Sequence, residues 1–301
     1  LSISKDNVTL EPAFLSEDYG IQGRLDVFES NNGIYNIIEL KSGSPPFPDD
    51  GKNIKSNHLT QLYLYYQVIQ SIKKISFSET VKKIQGYILY SKSTEGSIRY
   101  DQPALKRIQE IFDLRNQIIV NEHQLANSDI KQVNEIINNI SPNTLITRNI
   151  NPKFRDKYII PQIKSFTEPV GKMNDIERKY FNSFVSFIAR EQFYAKTGSP
   201  DPDQGNDLAD LWLNSFEEKK EKFDILYDLK IIENRVNKDE KSLVLKRTNK
   251  ENEFANFRKG DICVFYPREN EKTDVRAHQI LKCTITDLNK EKVTIKLRYK
   301  Q

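Results

Sequence analysis

Between two runs of strand-forming residues the chain carries Asn31-Asn32-Gly33. An Asn-Gly pair in that setting selects a tight hairpin turn, because both central positions of the favoured turn need a positive φ. The turn joins a strand within residues 21–29 to one over Ile34–Lys41 and sets them antiparallel. Side chains alternate faces along a strand. Tyr35, Ile37, Glu39 and Lys41 therefore share one face, and Asn36, Ile38 and Leu40 share the other. Two ionisable groups thus sit on one face of a short apolar strand, a hairpin away from a lone acid, Asp26. Burying a carboxylate and an ammonium near an apolar core is costly unless they are paired or hold a cation.

The surrounding pattern is that of an α/β domain. Residues 8–15 read as a strand that leads through Asp18-Tyr19-Gly20 into the hairpin. A loop rich in Pro, Gly and Asp over 43–51 follows Lys41, then a helix over 57–71 and a buried strand over 84–91. Residues 103–125 form a long amphipathic helix, with Leu105, Ile108, Ile111, Phe112, Arg115 and Ile119 at helical spacing. A further helix covers 130–140. Near Ser141-Pro142 an irregular linker begins and runs to about residue 172, followed by helices over 175–196 and 207–229 on either side of a Gly/Pro break at 198–202. In the first of these, the stripe of Tyr180, Phe184 and Ile188 reads as core. After 238–240 the period shortens to two. Strands over 242–247, 261–266, 279–288 and 292–299 predict a small β-barrel or barrel-like sheet. The expected division is 1–141, 142–238 and 239–301.

Composition narrows the classes. A chain of 301 residues has room for two compact domains, and 37 % hydrophobic with 29 % charged residues excludes general disorder. The net charge of +4 suits a protein that touches phosphates without requiring one. Cys263 and Cys283 are too few for a four-thiolate site and read as cytosolic thiols, in a cytoplasmic, intracellular protein. No apolar run approaches a membrane span, and the opening residues do not resemble a signal peptide, so no membrane is expected among the partners. The chain opens at Leu1, with an apolar strand almost at once, and reads as a fragment of something longer.

Phosphodiester hydrolysis needs an activated water, neutralised phosphate charge and an in-line leaving group. Hard cations take oxygen ligands, usually a few carboxylates with waters and substrate oxygens. Asp26 and Glu39 on adjacent strands are candidate ligands, with the backbone carbonyl of Leu40 as a third oxygen and Glu11, on the preceding strand, as a candidate for a further carboxylate. Lys41 shares the Glu39 face, where it would orient the water and stabilise developing negative charge. On the following helix His58, Gln61 and Tyr65 share a face at i, i+3 and i+7. Leu59, Leu62, Tyr66 and Ile69 give that helix an apolar side to lay on the sheet.

Gly23-Arg24-Leu25-Asp26, Ile38-Glu39-Leu40-Lys41-Ser42-Gly43 and the run from His58 to Tyr65, with Gln61-x-x-x-Tyr65, resemble in order and spacing the later motifs of the PD-(D/E)XK nucleases. The resemblance is to the RecB-like branch; Leu114-Arg115-Asn116 resembles it too, and the match covers roughly the first 125 residues. It implies a restriction-endonuclease-like α/β core, a mixed central sheet flanked by helices. It also implies Mg²⁺- or Mn²⁺-dependent cleavage of DNA. Asp26 and Glu39 would be ligands, Lys41 the catalytic lysine, and Gln61 and Tyr65 its support. Phe257-Arg258-Lys259-Gly260-Asp261, continuing to Pro267, is similar to the β-barrel that precedes the motor of replication-type superfamily 1 helicase-nucleases. By that likeness the chain is the nuclease and barrel portion of such an enzyme, acting in DNA replication or repair on single-stranded or branched DNA, with the helicase motor in the same full-length chain. No Gly-x-x-x-x-Gly-Lys-Ser/Thr phosphate loop occurs, so no nucleotide is expected in this portion. Two features depart from the family. The four cysteines that hold an iron–sulfur cluster in many relatives are missing, so none is expected, and the family's first motif would fall before Leu1 or be absent.

Arg24, His58, Arg258 and Lys259 are candidate DNA contacts. Asp26 alone would also serve to cap a turn, and His123 and His278 read as structural. Glu217–Lys222 reads as a solvated helix face. The rival to a nuclease is a non-catalytic DNA-binding or scaffold module with a vestigial site; the intact Asp, Glu and Lys argue against it.

Overall fold

The computed structural model describes residues 5–93, 96–146, 150–198, 209–236, 240–268, 275–276 and 278–298. Contacts group the chain into two compact units, Leu1–Ile111 with Leu211–Gln301, and Phe112–Asp210, across the boundaries drawn from composition.

The first unit opens with β1 (Val8–Leu10), β2 (Ala13–Ser16), β3 (Ile21–Arg24), β4 (Val27–Asn31) and β5 (Ile34–Lys41). The turn at Asn32 (φ 48°) and Gly33 (φ 79°) is the expected two-residue hairpin, with Asn31 pairing Ile34 across it. The strands expected over 8–15 and 21–29 are instead each broken in two, at facing points. Pro12 has no N–H to continue a ladder, and Glu11 before it turns to φ 50°. The chain opposite bends with it: Glu11 N donates to the Asp26 carbonyl at 2.9 Å and Leu25 N to the Pro12 carbonyl at 3.0 Å. β1 and β4 stay in the central sheet while β2 and β3 turn off as a two-stranded ribbon. Asp26 therefore sits at a bend between strands, not within one.

Next come α1 (Ser56–Lys73), α2 (Phe77–Lys83), β6 (Ile84–Tyr90) and β7 (Ile98–Asp101). The central sheet has the order β1-β4-β5-β6-β7 and is mixed, with β5 and β6 parallel and the other neighbours antiparallel. α1 provides the crossover that a parallel pair requires. Its Leu62, Tyr66 and Ile69 are fully buried, each apolar side chain of that kind contributing about 1.5–3 kcal/mol. The approach is close at Gly86 of β6, where a Cβ would stand 2.7 Å from the Tyr66 hydroxyl and 2.9 Å from Leu62 Cδ1. α2 and β7 are not read from the sequence, being too short for a periodic pattern to declare. A capping box at Ser76 and Glu79 starts α2.

The helical unit contains α3 (Leu105–Asn127) from Phe112 onward, α4 (Ile130–Asn138), α5 (Pro142–Leu145), α6 (Pro152–Phe154), a π turn over Arg155–Ile159, α7 (Ile160–Gly171) and α8 (Asp175–Thr197). The described part of the expected linker is thus mostly helical. Pro142 and Pro152 sit in first turns, where the missing N–H leaves no helical bond unmade, Pro161 opens α7 directly after the π turn, and Pro169 lies inside α7. Tyr180, Phe184 and Ile188, expected in a core, are 64 %, 46 % and 47 % exposed. α8 carries a second apolar row beside them, and it is Phe181 and Val185 of that row that pack on Val133, Ile137 and Val170.

The chain then forms α9 (Asp210–Leu213), α10 (Phe216–Glu221), β8 (Leu229–Asn234), β9 (Ser242–Arg247), β10 (Ile262–Phe265), β11 (Leu281–Leu288) and β12 (Lys292–Leu297). The single helix expected over 207–229 is two short ones. Ser215 caps the second, and Phe223 and Asp228 at φ 58° and 52° turn the chain into β8. The helix start at Asp207, the break at 199–202 and the strand end at Tyr299 lie outside the described residues. The expected β-barrel is an open antiparallel sheet of order β10-β11-β12-β9-β8. Among the described residues nothing pairs β10 with β8. Closure requires strands long enough to tilt and stagger, and β10 has only four residues. Leu243, Leu245, Ile285, Val293 and Ile295 form the core of this sheet, which meets the β2 ribbon where Ile280 N donates to the Ala13 carbonyl at 2.9 Å.

Candidate active site

The hairpin, the bend and α1 converge at the C-terminal end of β5. Residues of β5 alternate in the direction of their backbone groups as well as their side chains. The Lys41 carbonyl accepts from Ser91 N on the β6 side, at 2.9 Å. A strand residue's N–H and C=O point to the same neighbour, so those of Leu40 point the other way, to where β4 would continue had the chain not bent. Asp26 fills that gap: Leu40 N donates to its Oδ2 at 2.7 Å. The kink at Pro12 thus lets a side chain replace a ladder partner, and the Leu40 carbonyl is turned to the same side.

Glu39 is on the α1 face and is 4 % exposed. Its Oε1 accepts from Lys41 Nζ at 2.7 Å and from Gln61 Nε2 at 2.8 Å. Its Oε2 is buried and takes no hydrogen bond among the described residues. Burial pushes the Glu39 carboxyl above its ordinary value, and the nearby Asp26 charge adds to this, against the hydrogen bond and charge of Lys41. A buried carboxylate whose ionised form is opposed by a neighbouring acid, and which keeps one orphan oxygen, makes a place suited to a cation. Among the described residues no cluster of three or more His, Cys, Asp or Glu could hold an ion. The oxygens on offer are therefore Glu39 Oε2, the Asp26 carboxylate and the Leu40 carbonyl. Glu11, the candidate further carboxylate, lies next to Asp26 in the chain pairing, and its Oε2 is 3.5 Å from the Arg24 guanidinium.

α1 brings Gln61 and Tyr65 to the same place. Gln61 Oε1 accepts from Lys41 Nζ at 2.7 Å, and Gln61 Nε2 donates to the Tyr65 hydroxyl at 2.7 Å, which donates to the Arg24 carbonyl at 2.7 Å. Burial, with the charges of Glu39 and Asp26, pushes the Tyr65 phenol up to about 12, so it stays protonated and can hold that carbonyl. Gly23 gives it room: a Cβ there would lie 3.0 Å from the Tyr65 ring. His58 Nδ1 is 2.9 Å from the Tyr90 hydroxyl. Burial, helped by the charges of Lys41 and Lys55, lowers the His58 pKa and keeps the ring neutral near pH 7.

The site thus brings Asp26, Glu39, Lys41, Gln61 and Tyr65 together, with His58 beside them. Arg258 and Lys259 lie elsewhere, on the exposed turn before β10. Sequence reasoning missed Tyr90, the last residue of β6, whose hydroxyl also accepts from Lys55 N at 3.1 Å. It also missed Arg99 of β7. The Arg99 side chain is fully buried, donates to Asp49 and to the Asn53 carbonyl, and lies 5.1 Å from the Tyr90 ring. The alternation of β6 flags Tyr90 as inward-facing; no local signal flags Arg99.

No protein-family model matches the chain, and no curated protein matches it significantly in sequence.

Proposed function

We propose that this chain is a metal-dependent deoxyribonuclease that hydrolyses phosphodiester bonds on single-stranded ends or flaps, as the nuclease portion of a DNA helicase-nuclease of replication or repair. The observation that carries the reading is the orphan Oε2 of Glu39, buried beside the Asp26 carboxylate and two residues from a lysine on the same face. Asp26, Glu39 and the Leu40 carbonyl would hold Mg²⁺ or Mn²⁺, as an oxygen-only set suits a hard cation. When bound, the ion supplies the charge that polarises a phosphate oxygen.

The remaining work falls to the chain's own groups. Lys41 Nζ sets a positive charge where negative charge develops on the phosphate and gives the attacking water a fixed neighbour. Gln61 bridges Lys41 and Glu39, so the lysine and the carboxylate keep one relative position. Tyr65 anchors Gln61 to the backbone of Arg24, two residues before Asp26. Preorganisation of this kind is what makes electrostatic stabilisation effective, since nothing has to reorient during reaction.

The test is cleavage of end-labelled single-stranded and duplex DNA with Mn²⁺ by the parent and by Lys41→Ala. Metal-dependent cutting lost in the variant is expected, and the product ladder then gives the polarity. DNA binding without cutting by the parent would favour a scaffold module, and equal cutting by both proteins would remove Lys41 from the reaction.

A further inference from the structure

Between Lys41 and α1 the chain presents Phe47 at 98 % exposure, the highest of any large hydrophobic side chain among the described residues. A ring so exposed is ordinary on a slack loop, but this loop is fastened. Pro45 is buried, and Pro45, Pro46 and Pro48 restrict the backbone around the ring. Beyond the ring, Asp49 accepts from the fully buried Arg99 and, through Oδ2, from Ser93 Oγ at 3.0 Å. Asp50 lies 4.0 Å from Arg99 and accepts from Lys52 N at 2.9 Å and Asn53 N at 2.7 Å. Gly96, at φ 60°, lets the β6–β7 connection reach Gly51 so closely that a Cβ would stand 2.7 Å from the Gly51 carbonyl. Arg99 leans on Tyr90, which holds His58 beside the cleft, so one set of contacts anchors both the loop and the site.

An arginine taken wholly out of water is thus spent on holding a loop whose tip offers a bare phenyl ring to solvent. We propose that Phe47 is a stacking platform for an unpaired base of single-stranded DNA, set a few nucleotides from the hydrolytic cleft. The ligand's identity rests on the nuclease reading; the platform itself rests on the loop. Base–aromatic stacking tolerates any sequence because every base has a π-face, and it needs that face free of a helical neighbour, which single strands provide. The loop's acids are turned to Arg99, and Lys52 and Lys55, with no ion pair among the described residues, stand on the same loop for phosphates. Reach agrees: six residues extend at most about 22 Å at ~3.6 Å each, roughly six nucleotides at ~3.4 Å per strand position.

The test is equilibrium binding, in EDTA, of fluorescent oligothymidine and of a blunt duplex to the full chain and to Phe47→Ala, Phe47→Leu and Phe47→Trp. Phe47→Ala and Phe47→Leu should weaken oligothymidine binding about 5- to 150-fold, the range of one base–aromatic stack, and leave duplex binding unchanged. Phe47→Trp should retain affinity, with its fluorescence quenched on binding. Because the ring makes so little contact, the melting temperatures should match and folding cannot mimic the effect. Equal affinity in all four proteins, no oligothymidine binding by the parent, or loss for Ala but not for Leu would overturn the platform. Cleavage with Mn²⁺ separates the two readings. A cutting parent with Phe47→Ala unchanged in KM sinks the platform alone, and a parent that cannot cut but loses single-strand affinity on Phe47→Ala sinks the nuclease alone.

Discussion

Lys41→Ala should do more than stop a reaction; it should destabilise the fold in a way that depends on pH. Lys41 and Glu39 are 2.7 Å apart with side-chain exposures of only 16 % and 5 %, so water does little to screen them. Removing one partner of a buried pair costs about 3–5 kcal/mol, because the other charge is left without compensation. Gln61 still donates to Glu39 Oε1, which places the expected loss near ~3 kcal/mol. In a unit of roughly two hundred residues that corresponds to a melting temperature about 6–12 °C lower. Burial already holds the Glu39 carboxyl above its ordinary value of 4.5, and Lys41 is what pulls it back. In the variant it rises further. The folded state then binds the proton more tightly than the unfolded state, so stability is full below the unfolded value and is lost as pH rises through the folded one. The gap between parent and variant should therefore be small in mild acid, close to the ordinary carboxyl range, and widen as pH rises through the raised folded-state value. Mn²⁺ should narrow it at the higher pH, since a cation supplies the missing charge. Thermal melts of both proteins across that range, with and without Mn²⁺, make the measurement. A gap that stays constant with pH, or a loss below about 1 kcal/mol, would show that Glu39 is not left as a buried uncompensated charge.

Two further outcomes follow from single contacts. Tyr65→Phe removes the donor to the Arg24 carbonyl and the acceptor of Gln61 Nε2. It should cost about 1–3 kcal/mol for the polar groups left unpaired and lower kcat more than DNA affinity; an unchanged kcat would detach Tyr65 from the positioning of Lys41. Gly86→Ala forces a Cβ to within 2.9 Å of Tyr66 and Leu62 of α1. It should destabilise the central sheet by about 1–3 kcal/mol through overpacking, and an unaltered chemical denaturation midpoint would mean that α1 sits more loosely than this.

Legibility in the sequence followed the range of the interactions. The Asn32-Gly33 turn, β5 and α1 are specified by neighbours in the chain, so residues 31–73 are read almost as they fold, and the grouping of Glu39, Lys41, Gln61 and Tyr65 comes with them. The α/β order of elements is legible for the same reason, whereas the mixed central sheet between helices, a long-range pairing, is implied by the family resemblance alone. The paired breaks at Pro12 and Asp26 are not, because each is caused by the other across the hairpin. Two short strands separated by a bend look like one long strand when only the period is read. Arg99 is harder still: it lies on a four-residue strand too short for a pattern, and its burial exists only because Asp49 and Asn53, some fifty residues earlier, come to meet it. At the other end of the chain the strand pattern is correct for β9 and β12, but pattern carries no information on closure. The outcome there depends on β8, whose residues are mostly exposed, and on the brevity of β10.

The bend at Asp26 accounts for more of the site than the motif residues do. Had β4 continued through residue 25, a backbone carbonyl would accept from Leu40 N and a backbone N–H would occupy the Leu40 carbonyl. The cleft would then lose both an acidic side chain and an open carbonyl. Because the chain departs at Pro12 and Leu25, the same two groups of Leu40 face Asp26 instead. The hydrogen bond from Leu40 N orients one oxygen of that carboxylate without neutralising it, next to a glutamate whose remaining oxygen takes no hydrogen bond among the described residues. A fold selected for stability alone would fill that place with an apolar pair. The sheet here ends early, and its end presents one half-buried carboxylate oriented by a backbone N–H beside a buried one, the kind of oxygen set that a divalent cation takes.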